Sequence, residues 1–122
     1  MKVLILKEDL DKVMPAVTRL VVSRGQLPVL SNVLIVAGKN VVTFSATNLE
    51  LGVELSVGAK VEQEGSITVP AKNLAEFVAL MSFGEVIIET DGEKLKVSGG
   101  KSKAVFAGIS ATEFPSMPKL LE

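Results

Sequence analysis

The side chains that could do chemistry in this 122-residue chain are carboxylates, lysines and hydroxyls, because the sequence contains no His and no Cys. Their absence excludes Ser-His-Asp and Cys-His catalysis and leaves no ordinary zinc or copper site. Glutamates recur at short spacing in two places, Glu50 with Glu54 and Glu62 with Glu64, and alternate residues of a strand lie on one face. No other reactive side chain accompanies either pair, and a glutamate on a strand surface is usually solvated. We therefore expect no enzymatic activity, no cofactor and no bound metal.

The charges nearly balance, with 13 Lys and Arg against 14 Asp and Glu and a net charge of −1. A uniformly basic nucleic-acid binder would be strongly positive, so contact with a polyanion must come from a few locally placed cations. The mean hydropathy is high, +0.44, but the longest uncharged run, residues 25–38, is too short for a membrane-spanning helix and contains Pro28. We expect one cytoplasmic domain over residues 1–122, with the apolar residues in a core or a subunit interface.

Two repeated patterns predict the elements that position these residues. Apolar residues recur at helical spacing from Leu10 to Val21 and from Leu74 to Met81, and Asp91-Gly92 is a strong hairpin signal. The pattern predicts helices over about 9–23 and 71–82, and strands over 2–6, 29–37, 41–47, 50–58, 66–70, 85–90, 94–98 and 103–109. Each helix follows one strand and precedes three, which is a tandem βαβββ duplication of the α+β class. Because two amphipathic helices need sheet faces to cover, we expect them side by side on curved antiparallel sheets.

The outward faces of the two predicted helices carry isolated cations among carboxylates. Lys12 and Arg19 lie opposite the apolar stripe of the first helix, Arg24 follows its end, and Lys72 lies opposite the stripe of the second. Two interpretations fit this pattern. One is a solvated face of mixed charge, and the other is a shallow polar surface that contacts a polyanion through a few cations.

Four segments in the same order resemble motifs of the bacterial sliding clamps. Residues 23–34 read SRGQLPVLSNVL and are similar to S-R-x-x-L-P-I-L-S-N-I-L, and residues 46–52 read ATNLELG and are similar to A-T-D-L-E-I-G. Residues 65–72 read GSITVPAK, as in the family. The fourth segment, Gly100–Lys103 with Glu113–Pro115, completes the order. Together they cover nearly the whole chain. The sequence therefore resembles the N-terminal domain of the DNA polymerase III beta subunit, the processivity clamp.

This resemblance implies a DNA-clamp fold and a role in a ring. Family clamps have three such domains in each chain, and two chains close a ring whose twelve helices line a hole for duplex DNA. The chain would then be the first of three domains, and the cleft that binds polymerase and clamp-loader peptides would lie on domains absent from it. DNA contact would be weak and independent of sequence. The resemblance implies Arg24 and Lys72 for it, and Lys12 and Arg19 are added as candidates from the outward face of the first helix.

The resemblance also implies a subunit contact along one sheet edge. Its residues are Lys101, Lys103, Ala104, Val105 and Phe106, with Asn73 on the second helix. The same lysines are equally expected if they only protect an exposed edge strand from random pairing. Likewise, Arg24 could be a helix C-terminal cation and Lys72 a solvated lysine of a first helical turn.

Two positions depart from the family pattern. Asn48 stands where the family usually has Asp, and Ala104 stands where Phe is common, so Phe106 could supply the apolar contact instead. An alternative function remains open at this point: an isolated or engineered clamp-like domain that assembles as a ring or structural module without binding polymerase.

Overall fold

A computed structural model describes residues 1–21, 28–82, 84–115 and 120–121. Two α-helices lie in this part of the chain, α1 (Lys7–Leu20) and α2 (Ala71–Leu80). The strands are β1 (Lys2–Leu6), β2 (Asn32–Ala37), β3 (Val41–Thr47), β4 (Gly52–Gly58), β5 (Lys60–Gln63), β6 (Gly65–Pro70), β7 (Glu85–Asp91), β8 (Lys94–Gly99), β9 (Ser102–Ala107) and β10 (Leu120–Leu121). Short 3-10 helices cover Pro28–Ser31 and Ala111–Glu113.

The ten strands form two five-stranded sheets. Sheet A has the order β5-β1-β7-β8-β9, and sheet B has the order β10-β4-β3-β2-β6. All pairs are antiparallel except β10 with β4. The first strand of each repeat pairs with the other repeat, because β1 joins β7 and β6 joins β2. The α+β class and the tandem βαβββ order expected from the sequence are confirmed.

The two helices pack against each other and against the sheets. The apolar stripe of α1 is buried at Leu10, Val13 and Val17, and that of α2 at Leu74 and Val78. The sheets contribute the largest buried side chains to the same core, including Phe44, Ile35, Ile88 and Leu95. Burying one such side chain stabilises the fold by about 1.5–3 kcal/mol. The side-by-side arrangement of the helices follows from this shared core.

The two sheets are joined at two corners. At one corner β4 continues through Ala59 into β5 and so passes from sheet B to sheet A. At the other corner β9 continues through Gly108 to Ile109, whose N–H donates to the Thr68 carbonyl at 2.9 Å, while the Thr68 N–H donates to the Ile109 carbonyl at 3.0 Å. A Cβ at Gly108 would lie 2.8 Å from the Glu93 carbonyl oxygen, so glycine is needed there. Within the described part of the chain, this leaves as sheet edges the outer side of β9 and the part of β4 that β10 does not cover.

The observed bounds correct several sequence predictions. Residues 28–31 form a 3-10 helix, although the sequence predicts a strand from residue 29. Helix α1 begins at Lys7 and not at about residue 9, and the Lys7 backbone N–H donates to the Gly84 carbonyl at 2.9 Å. Helix α1 ends at Leu20, where about 23 was expected, and residues 22 and 23 lie outside the described residues. Helix α2 ends at Leu80, not 82, because Met81 has extended backbone geometry. Strand β9 ends at 107, not 109, because Ile109 has crossed to sheet B.

The corner at Thr68 yields a stability prediction. Its hydroxyl donates to the Ile109 carbonyl at 2.8 Å and accepts from the Asn32 amide at 3.1 Å, and the residue is fully buried. Thr68→Val should lower the free energy of unfolding by about 1–3 kcal/mol, because it removes both bonds and leaves buried polar groups behind. Urea denaturation measures the loss.

The matched control is Thr43→Val, because the Thr43 hydroxyl bonds to the Ser56 hydroxyl on an exposed surface at 2.9 Å. That change should stay within about 0.5 kcal/mol. Equal losses for the two variants would contradict a special role for the Thr68 corner.

Candidate nucleic-acid interface and sheet edges

The exposed face of α1 brings two cations to one side of the helix. Lys12 and Arg19 are exposed and lie two turns apart, a rise of about 10 Å along the axis. Both point away from the buried stripe at Leu10 and Val17. The expected placement of Lys12 and Arg19 on the outward face is therefore confirmed, and their role in binding DNA stays a prediction.

Helix α2 lies against α1, and both helices bury their apolar faces in the core. Lys72 of α2 is therefore exposed on the same side of the molecule as the outward face of α1. Lys72 and Asn73 are both exposed in the first turn of α2. Exposed carboxylates lie among these cations, at Glu8, Asp11 and Glu76. The Asp11 carboxylate forms an ion pair with the Lys7 ammonium at 2.9 Å. The face is thus mixed in charge. Arg24, the remaining cation predicted to contact DNA, lies outside the described residues.

The edge strand β9 presents alternate side chains in opposite directions. Lys103 and Val105 are exposed, Val105 at 60% of its surface, while Ala104 and Phe106 are half-buried on the side of the helices. The Phe106 ring makes an edge-on contact with Phe77 of α2, with centroids 6.0 Å apart and planes at 68°. Phe106 therefore supplies an aromatic contact on the same side of β9 as Ala104.

The remaining interface residues surround this strand. Lys101 is exposed in the tight turn before β9, where Gly100 has a φ of 55°. Asn73 is exposed on α2, the helix that contacts Phe106 through Phe77. The structure thus places five of the predicted interface residues on β9 and the turn before it, and Asn73 on the helix that packs against Phe106. Whether they contact another subunit stays a prediction.

The second edge, β4, carries none of the residues that the sequence predicts for a subunit contact. Its exposed side chains are Glu54 and Ser56, and its half-buried ones are Val53, Leu55 and Val57. Strand β10 runs parallel to β4 and covers only Gly52 and Val53 of this edge. Matching the two repeats strand by strand would have identified β4, since it holds the position in its repeat that β9 holds in the other.

A shallow depression of about 280 Å³ lies on the outer face of sheet A beside β9. It is lined by Ile87, Glu89, Lys96, Ser98, Lys103 and Val105, among others. No titratable side chain at this depression is buried.

The carboxylate pairs singled out in the sequence lie on the surface. Glu62 lies 3.7 Å from the Lys2 ammonium, and Glu50, Glu54 and Glu64 are exposed. In residues 1–21, 28–82, 84–115 and 120–121, no group of three or more His, Cys, Asp or Glu side chains is placed to hold a metal ion. Nor does any helix in those ranges have the length and apolar character needed to cross a bilayer.

The turn between β3 and β4 explains the departure at Asn48. The Asn48 side-chain oxygen accepts from the backbone N–H groups of Glu50 and Leu51, both at 2.9 Å. The Thr47 hydroxyl accepts from the Leu49 N–H at 3.0 Å and donates to the Leu51 carbonyl at 2.8 Å. These bonds hold Leu49 at a φ of 78°, which is unusual for a residue other than glycine. An amide oxygen serves this turn as well as a carboxylate does, so a negative charge is not required.

Comparisons with known proteins agree on one family. A family model described as DNA polymerase III beta subunit, N-terminal domain, matches residues 1–118. The beta sliding clamp of Synechococcus elongatus is 37% identical over 121 residues, which are 97% of this chain and 32% of that protein. The beta sliding clamp of Proteus mirabilis is 30% identical over 96% of this chain and 32% of its own length.

Solved structures give the same result. The DNA polymerase sliding clamp of Caulobacter crescentus has a TM-score of 0.91 and 32% identity, covering 96% of this chain and 32% of that one. The DNA polymerase III subunit beta of Pseudomonas aeruginosa has a TM-score of 0.91 at 31% identity, with the same coverage. The chain thus spans about a third of the length of the proteins that it matches.

The turn at Asn48 yields a second stability prediction. Asn48→Ala should lower the free energy of unfolding by about 1–2 kcal/mol, because two backbone N–H groups lose their acceptor and the strained Leu49 backbone loses its support. Asn48→Asp keeps an acceptor oxygen and should stay within about 0.5 kcal/mol. Thermal unfolding of the two variants side by side checks this, and equal losses would show that the turn depends on something other than this acceptor.

Proposed function

This chain belongs to the DNA polymerase III beta subunit family, as its N-terminal domain, and from that membership we propose that it is one domain of a sliding clamp. The clamp would encircle duplex DNA as a ring and tether the replicative polymerase for processivity. Because the chain spans 32% of its relatives' length, the ring needs further domains. Binding of polymerase and clamp-loader peptides belongs to those domains in this proposal.

The observation that carries the proposal is the exposed face of the two packed helices. Lys12, Arg19 and Lys72 are scattered there among carboxylates. Each phosphate that a cation neutralises releases counterions and adds affinity that is blind to sequence and weakened by salt. A dense basic patch would hold the duplex in place, whereas a few cations permit sliding. Arg24 would join this face, although it lies outside the described residues.

The β9 edge would meet the neighbouring subunit. Its outer side has no partner strand within the described chain, and an unpaired strand is a template for pairing with another chain. Lys101 and Lys103 would restrict which strand can pair, while Ala104, Val105 and Phe106 would give apolar contact. Asn73 would extend this contact onto α2.

The proposal involves no catalysis and no cofactor, because a clamp acts by enclosing its DNA and holding a partner. A role on replicating bacterial DNA would place the protein in the cytoplasm. The two relatives and two structures described above are sliding clamps or beta subunits. None of them favours the alternative of a stand-alone structural module.

A charge-matched pair of variants tests the DNA-facing surface. Lys12→Gln with Arg19→Gln should weaken binding to a short duplex and reduce the dependence of log affinity on log salt by about 1–2, because each lost phosphate contact contributes about 0.9 to that slope. Fluorescence anisotropy over a series of low salt concentrations measures both quantities.

The control is Lys39→Gln with Lys60→Gln, which makes the same change in net charge at exposed positions outside the helices. The control should keep the original slope. The proposal fails if the two double variants lose affinity equally, or if the unmodified chain strongly prefers one duplex sequence.

A further inference from the structure

We propose that the buried residue Lys7 is a positioning residue for the DNA-facing surface, because its ammonium offsets the Asp11 carboxylate and makes the outward face of α1 positive overall. This inference rests on the proposed function, since it names a residue that tunes the same surface. Lys7 is buried and would not touch DNA itself. It would act through Asp11, which is exposed beside Lys12.

Lys7 stands where a lysine is unfavourable. Among the residues that the structure describes, it is the one charged residue that is buried, with 9% of its side chain exposed. It is also the first residue of α1, where the helix dipole disfavours a cation. Taking an ammonium out of water carries a desolvation cost that an apolar side chain of similar length avoids. A charge kept against both costs points to a role other than stability.

The geometry directs the charge of Lys7 toward the surface of α1. Its Nζ atom lies 2.9 Å from Oδ2 of Asp11, one turn further along the helix. The lysine precedes the carboxylate, which is the less stabilising order for a pair at this spacing. The Lys7 backbone N–H donates to the Gly84 carbonyl at 2.9 Å, which ties the start of α1 to the segment before β7. The Lys7 ammonium is thus held beside the inner side of an exposed carboxylate.

The charges on the outward face of α1 cancel when Lys7 is left out. Two carboxylates and two cations are exposed there, Glu8, Asp11, Lys12 and Arg19. The other acidic residue of the first turn, Asp9, lies on another side of the helix, where it lines a depression with Leu4 and Leu6. Lys7 adds one positive charge next to Asp11. The buried lysine therefore decides the sign of the charge that this face presents.

The effect on DNA follows from Coulomb's law. A phosphate that approaches Lys12 also meets the Asp11 carboxylate, which repels it, so two neighbouring opposite charges attract it little. With the Lys7 ammonium beside it, Asp11 contributes as half of a neutral pair, and the attraction of Lys12 is left unopposed. The ammonium is buried, so it adds no donor that could hold one phosphate in place. Attraction of this kind agrees with a surface on which the duplex slides.

Removing the ammonium tests the inference. Lys7→Met keeps an unbranched side chain and should weaken binding to a short duplex roughly two- to five-fold at low salt, because a unit charge within a Debye length of a phosphate acts on this scale in water. The loss should shrink as salt is added. Fluorescence anisotropy measures the affinity.

A second change at Asp11 separates a charge effect from a structural one. Lys7→Met with Asp11→Asn restores the net charge of the unmodified chain and should recover its duplex affinity. A merely structural role for Lys7 predicts no recovery, because the double variant lacks the ion pair as well. Asp11→Asn alone should raise the affinity by about the same factor, and it supplies the test if Lys7→Met does not fold. Circular dichroism shows which variants are folded.

The matched control is Lys2→Met. The Lys2 ammonium lies 3.7 Å from Glu62 in another ion pair, on the outer side of sheet A. The control makes the same change in net charge away from the helices, and it should leave the duplex affinity unchanged. The inference is overturned if folded Lys7→Met binds as tightly as the unmodified chain, if Lys2→Met loses as much affinity, or if the double variant stays as weak as Lys7→Met. In the absence of a folded Lys7→Met, an Asp11→Asn variant that binds no more tightly overturns it.

The Lys12→Gln with Arg19→Gln variant separates this inference from the proposed function. If that variant loses affinity and Lys7→Met does not, the role of Lys7 is removed and the clamp role stands. If that variant loses no more affinity than its own control, the proposed function fails whatever Lys7→Met does, because the charge of α1 then has no DNA to act on.

Discussion

The exchange of first strands between the two repeats is the constraint on which the rest of the structure depends. Strand β1 hydrogen-bonds to β7, and β6 hydrogen-bonds to β2, so neither repeat completes a sheet alone. Each helix directly follows an exchanged strand, and the exchange therefore brings α1 and α2 together over one core that contains Phe44, Leu10 and Leu74. The corner at Thr68 and Ile109 then joins the two sheets. Folding is consequently a property of the whole domain and not of either half.

This arrangement separates two kinds of surface. The packed helices expose one polar face on which cations are few and mixed with carboxylates, while, in the described chain, β9 and the part of β4 beyond β10 remain unpaired at the sides of the two sheets. A domain that joins neighbours through its edges leaves its helix face free for something else. In the proposed clamp the helix face lies against duplex DNA, and the clamp stays on the DNA because the ring encloses the duplex. The affinity of each single contact can then be low without loss of processivity.

Much of the fold could be predicted because local periodicity reports which residues are buried. The stripes at Leu10, Val13 and Val17 and at Leu74 and Val78 predicted both helices, and the Asp91-Gly92 signal predicted the hairpin in which Gly92 has a φ of 63°. Periodicity does not say which strand pairs with which, so the exchange, the corner at Ile109 and the short strands β5 and β10 were missed. The outward placement of Lys12, Arg19 and Lys72 could be predicted, since it depends on helix phase alone. Periodicity alone does not identify the β4 edge, which becomes apparent only when β4 is matched with β9 as the last strand of the equivalent repeat.

The central claim is that the helix face of this domain is the side turned toward DNA. A nuclear magnetic resonance titration of the labelled 12.9 kDa chain with two short duplexes of unrelated sequence, at low salt, tests it most directly. If the helix face is turned toward DNA, amide shifts should concentrate on the exposed faces of α1 and α2, around Lys12, Arg19 and Lys72, and both duplexes should give the same pattern. Shifts concentrated on the outer face of sheet A, around Lys96 and Val105, or a pattern that differs between the duplexes, would contradict it.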